Sequence, residues 1–164
     1  MARYHAQFTS ATAAGVDVIV GSLVPPAAVG FNLRRVTGGL ITVGSASAPP
    51  DQNCALGIAN ITAAGTGAAT ASSTTGVQLK MNQNTAAPAV AANLSYATTQ
   101  PTIGAAATDP YVIPCSSRGG FDVYWEGVEE WQVLFGVTGG LAFVNRRNAL
   151  TSPLAWDITV EWEE

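Results

Sequence analysis

The stretch Trp156-Asp157-Ile158-Thr159-Val160-Glu161-Trp162-Glu163 decides the fold class. Large apolar residues take every second position, and short polar or acidic residues fill the places between. Side chains of a β-strand point to opposite faces in turn. The segment therefore reads as an antiparallel strand with one face in a core and the other in water. Trp156, Ile158, Val160 and Trp162 are candidate core residues on that reading.

The same period of two extends outward. Phe121, Val123 and Trp125 alternate with Asp122, Tyr124 and Glu126. Trp131, Val133, Phe135 and Val137 share a face. Phe121, Trp125 and Trp131 join the candidate core. Val77, Leu79 and Met81 alternate with Gln78, Lys80 and Asn82, and Val16, Val18 and Val20 with Asp17 and Ile19. Phe31 and Leu33, Leu40 to Val43, Leu141 to Val144, and Tyr4, Ala6 and Phe8 complete the set. Roughly eight to ten strands are expected, and helical periodicity is hard to find. The expected architecture is all-β, an antiparallel β-sandwich, with residues 1–164 as one domain. Residues 1–15 are free to form an extended N-terminal arm, because flexible Ala13, Ala14 and Gly15 follow the first strand.

Turn chemistry adds three expectations. Val36-Thr37-Gly38-Gly39-Leu40 recurs as Val137-Thr138-Gly139-Gly140-Leu141. Each Gly-Gly stands between apolar runs and reads as a tight hairpin, since both glycines tolerate positive φ. Either the echo is chance in a Gly/Thr-rich chain, or the two hairpins are equivalent parts of a pseudo-symmetric sandwich. Residues 126–130, with Glu126, Glu129 and Glu130, read as an exposed hairpin tip. Residues 61–76 and 84–110, rich in Ala, Thr, Ser, Gly and Pro, read as long extended loops with one or two edge strands. Loops of that length serve a function or lie on a neighbour.

Composition narrows the function classes. Charged residues make up 11% of the chain, against about 25% in ordinary soluble domains. Seven basic residues and a net charge of −4 are too few cations for a nucleic-acid footprint or an anionic membrane surface. No apolar run reaches the roughly 18 residues of a membrane span. The first residues lack a secretory h-region, so synthesis in a cytoplasm is expected. Cys54 and Cys115 are then two reduced, buried thiols, with a disulfide closing later left open.

No catalytic constellation is evident, and neither a catalytic residue, a cofactor nor a metal is expected. A Ser-His-Asp or Cys-His arrangement would have to use His5, the single histidine, which has no carboxylate near it in sequence. Asp122, Glu126, Glu129 and Glu130 lie beside Tyr124, Trp125 and Trp131. A sugar-binding platform needs such aromatics exposed together; buried, they are core. Asn60 and Asn93 begin formal glycosylation sequons that mean little without secretion. Arg34, Arg35, Arg146 and Arg147 are candidate interface residues, because the planar guanidinium pairs with carboxylates at low desolvation cost. Solvated strand faces are the alternative for them.

The opening Met1-Ala-Arg-Tyr-His-Ala-Gln-Phe8, the Ala/Thr run after it, the Gly-rich and Pro-punctuated middle, and the closing Val160-Glu-Trp-Glu-Glu164 together resemble small virion proteins of tailed bacteriophages, especially those of actinobacteria. The resemblance spans the chain loosely and is specific at its two ends. It implies a jelly-roll type of sandwich on the outer surface of a phage head. The implied role is a capsid decoration (cement or auxiliary) protein that binds the major capsid protein as a homo-oligomer, a trimer by preference. A tail-associated or carbohydrate/receptor-binding module of the virion is the alternative. The resemblance carries no functional residue with it.

Overall fold

The computed structural model describes residues 2–11, 14–26, 29–44, 51–63, 65–70, 78–80, 88–125, 131–133 and 139–164, with backbone alone for 67–70, 78–80, 94–98 and 131–133. The described strands are β1 (Arg3–Thr9), β2 (Ile19–Val24), β3 (Phe31–Thr42), β4 (Asn53–Ala63), β5 (Thr66–Thr70), β6 (Gln78–Lys80), β7 (Ala91–Thr99), β8 (Thr102–Ile103), β9 (Tyr111–Ser116), β10 (Gly120–Tyr124), β11 (Trp131–Val133), β12 (Leu141–Asn145) and β13 (Leu154–Glu163). A single 3-10 turn, Ala106–Thr108, is the only helical element among the described residues. The chain is all-β, and its two antiparallel sheets pack face to face as a sandwich.

One sheet runs β10-β3-β13-β1-β6, with β11 also on β3; the other runs β5-β7-β2-β12-β4-β8, with β9 also on β4. The pairing is nested. β1 pairs β13, β2 pairs β12, β3 pairs β10 and β4 pairs β9, all antiparallel. Successive pairs alternate between the two sheets. β5 to β8 come between β4 and β9 in the chain.

The core follows from the alternation. Tyr4, Ala6 and Phe8 of β1 and Trp156, Ile158, Val160 and Trp162 of β13 are at most 2% exposed. They meet Leu23, Leu56, Ile58 and Phe143 of the opposite sheet in one cluster. Tyr4 stacks on Trp162 with centroids 5.8 Å apart, and Phe8 lies 6.0 Å from Phe143. Gly21 makes this approach possible: a Cβ there would collide with the Phe8 ring. Burial at about 25 cal/mol per Å² makes the Trp-rich faces the main cohesive element. Trp125 is buried as expected. Phe121 is half-buried and packs on the core edge, 6.3 Å from Trp156. The Trp131 side chain lies outside the described residues.

Several expectations are corrected. Gly38 and Gly39 are not a hairpin turn but sit inside the twelve-residue β3. There Gly38, at φ 150°, brings its backbone against Asp157 and Ile158 so closely that a Cβ would strike the Asp157 carbonyl. On either side of Gly139-Gly140, β11 lies in one sheet and β12 in the other, while residues 134–138, on which the second expected hairpin rests, lie outside the described residues. β10 and β11 both run antiparallel to β3, along Arg35–Gly39 and Phe31–Leu33. The two are collinear along β3, and the hairpin tip expected at residues 126–130 lies outside the described residues. The supposed long loops contain β5, β7 and β8, and β7 is internal, between β5 and β2. Among the described residues thirteen strands replace the expected eight to ten. Small Ala, Ser and Thr side chains hide strands whose ladder bonds, rather than large apolar faces, hold them. Residues 3–9 are no free arm: β1 lies between β13 and β6. Val16 and Val18 are exposed in the turn before β2 rather than in a strand.

Candidate functional site

The outer face of the β1-β13-β3 sheet carries most of the strand-borne charge described. β13 presents Asp157, Thr159, Glu161 and Glu163 outward. A register shift between Glu161 and Trp162 sets two β3 residues, Arg34 and Arg35, against this face. A bulge breaks strict alternation, so consecutive side chains share one side. Arg34 reaches Glu163 at 2.5 Å, and Arg3 reaches the same carboxylate at 2.7 Å. Arg35 forks onto Asp122 at 2.6 and 2.8 Å and touches Glu161 at 3.4 Å. Gln7 and Thr9 both donate to Asp157.

The charges set the protonation of their partners. Burial pushes the Glu163 carboxyl up, but the Arg34 and Arg3 guanidiniums outweigh it and hold that carboxyl below its ordinary range. The hydrogen bond from Arg35 holds Asp122 low in the same way.

Arg146 is different in kind. Its side chain is 5% exposed. Nε and Nη2 grip both oxygens of Asp109 at 2.8 and 2.7 Å, Nη1 donates to Asp17 at 2.8 Å, and Nη2 also donates to the Gly104 carbonyl at 2.7 Å. Gly57 leaves the space: a Cβ there would meet Asp109 and the Arg146 stem. Asp109 raises the Arg146 pKa against the opposing effect of burial. The preceding residue extends the hub. Asn145, fully buried, donates from Nδ2 to the carbonyls of Gly15 and Asn148 at 2.8 Å, and its Oδ1 accepts from the Trp156 indole. This Asn-Arg pair ties the turn before β2, the loop before β9 and the end of β12 together.

The four candidate interface arginines are therefore not one patch. Arg34 and Arg35 lie on one sheet, and Arg146 and Arg147 follow β12 on the other. Arg146 is a buried structural fork. Arg147 is exposed and lines an open groove with Cys54 and Cys115. Among the described residues no three His, Cys, Asp or Glu side chains converge as a metal site would require. His5 sits half-buried on β1, opposite Glu161. Of the proposed aromatic platform, Tyr124 is 49% exposed, whereas Trp125 is buried edge-on to Tyr111 at 5.4 Å. Sequence reading missed Asp109 and Asn145 as partners, since neither carries a motif and both act on residues far away in the chain.

No family model matches the chain, and no curated protein or solved structure matches it.

Proposed function

We propose that this chain is a structural virion protein, a capsid decoration protein that binds the outer surface of a phage head as a symmetric oligomer, with a trimer preferred. The observation that carries this reading is the strand order. β1-β13-β3-β10 faces β2-β12-β4-β9, with nested pairs alternating between sheets. This order supports the reading as a jelly roll, two Greek keys wound together, an architecture shared by viral shell proteins and lectins.

The surface supports the same reading. Arg3, Arg34 and Arg35 are paired within the chain. Large apolar side chains stand outside: Tyr111, Val112, Ile41 and Val43 are each 37–46% exposed. A low-charge surface with scattered apolar groups suits packing on a repetitive protein lattice, where weak identical contacts add by avidity. The partner is the major capsid protein of the same virion, and no nucleic acid, membrane or cofactor enters the proposal. The reading is tested by mixing the purified chain with heads that lack it and sedimenting them. Saturable binding of an oligomer supports decoration; free chain in the supernatant at every concentration contradicts it.

A tail-associated or carbohydrate-binding module is the second reading, favoured by exposed Tyr111 and Tyr124. A glycan array with the purified chain separates the two.

A further inference from the structure

The two cysteines are far apart in sequence, yet Cys54 of β4 faces Cys115 of β9 as a direct cross-strand partner. Directly opposed residues of an antiparallel ladder share a face, with Cα atoms about 4.5–5.5 Å apart. A disulfide requires about 4.4–6.8 Å. Both sulfurs are free thiols. Cys54 is 1% and Cys115 8% exposed, so Cys115 is the more accessible. Both line an open groove of about 350 Å³ with Asn53, Gly119, Gly120 and Arg147. The Cys115 thiol donates to the Gly119 carbonyl at 3.1 Å, which holds it at the groove wall.

We propose that Cys54 and Cys115 are a redox modification site, a dithiol that closes to a cross-strand disulfide on meeting a low-molecular-weight disulfide and so staples β9 to β4. The Cys115 thiolate attacks one sulfur of the small disulfide, forming a mixed disulfide and releasing one small thiolate. The Cys54 thiolate then attacks the Cys115 sulfur, forming the internal bond and expelling the second small thiolate. The protein dithiol is oxidised and the small disulfide reduced; the two protons lost by the cysteines are taken up by the two departing thiolates. Burial pushes both thiols up, with Cys115 adding to the rise at Cys54, so closure is slow at neutral pH and accelerates as pH rises.

The consequence is mechanical. Among the described residues β9, along Tyr111–Ser116, is bonded only to β4, and a strand paired on one side leaves a row of backbone groups without ladder bonds. The bond would close a loop of roughly 60 residues, enough to raise the thermal midpoint by about 5–10 °C. This site is independent of the virion reading.

The experiment incubates the folded full chain with oxidised glutathione, blocks remaining thiols in denaturant and measures mass. The expected product is a monomer that has lost two hydrogens, takes up no alkylating agent and yields one peptide joining Cys54 to Cys115. Its melting midpoint is raised, and reductant reverses the rise. Cys54→Ser should stop at a glutathione adduct on Cys115. The proposal is overturned if the folded chain keeps both thiols alkylatable while chain oxidised in urea forms the link. It is equally overturned if the wild type accumulates the Cys115 adduct without closing, or closes with no change in midpoint. These wild-type outcomes decide the matter even where the serine variant fails to fold.

Discussion

The indole N–H of Trp156 donates to Oδ1 of Asn145 at 3.2 Å, so one of the two buried tryptophans of the last strand is tied to the polar hub at the end of β12. Trp156 and Asn145 are both fully buried, and they belong to opposite sheets. A buried amide with each polar atom engaged holds the sheets in one relative position in a way apolar packing alone does not.

Replacing Asn145 by Ala leaves the Trp156 N–H without this acceptor and the Gly15 and Asn148 carbonyls without this donor. The expected loss is about 2–4 kcal/mol, read as a lower urea midpoint. A loss under about 0.5 kcal/mol would show that water replaces the amide.

Arg146 holds Asp109, whose side chain is 1% exposed. Arg146→Ser strands that carboxylate and is expected to cost about 3–5 kcal/mol. Adding Asp109→Asn should recover part of the loss, because the uncompensated charge goes with it. Strict additivity in the double-mutant cycle would contradict the direct coupling seen here. The serine variant of Arg146 therefore tests monomer stability and not assembly.

Glu163 sets an acid limit. Its folded pKa lies below the ordinary 4.5 because of Arg34 and Arg3. Above pH 4.5 the carboxylate is charged in both folded and unfolded chains, and its stabilisation is fully present. As pH falls through 4.5 the unfolded chain takes up the proton first, and the stabilisation is lost down to the folded value. Melting curves of Glu163→Gln should be lower than wild type at pH 7, and the gap should narrow below pH 4.5. A gap independent of pH would rule out this linkage.

Assembly is better probed at the accessible arginines. Arg35→Ser with Arg147→Ser should leave the melting midpoint within a few degrees, since surface ion pairs contribute about 0–1 kcal/mol. If these residues face a neighbour, the double variant weakens oligomer or head binding in sedimentation. Unchanged assembly would remove them from the interface.

How much of this was legible depended on side-chain size. Trp156 to Glu163 revealed its strand, its buried face and the fold class, because large apolar groups at a period of two have few other uses. The Ala- and Thr-rich β5 and β7 left no such trace. Gly38-Gly39 carried the composition of a turn but serves close approach to β13, a distinction that only the position of Asp157 supplies. Doublets of arginine were visible; their partners were not. Glu163 and Asp109 lie 129 and 37 residues from the arginines they bind, and the nested pairing that unites them is a property of the whole chain. The facing of Cys54 and Cys115 was hidden for the same reason.

The central claim is the proposed decoration of a phage head by this β-sandwich. Its most direct test is the copy number of the chain in virions purified from the source of its coding sequence, by quantitative mass spectrometry against the major shell protein. A simple stoichiometric ratio to the shell subunit is the predicted result. A handful of copies per particle would move the chain to the tail or a vertex and favour receptor binding, and complete absence would contradict the virion role altogether.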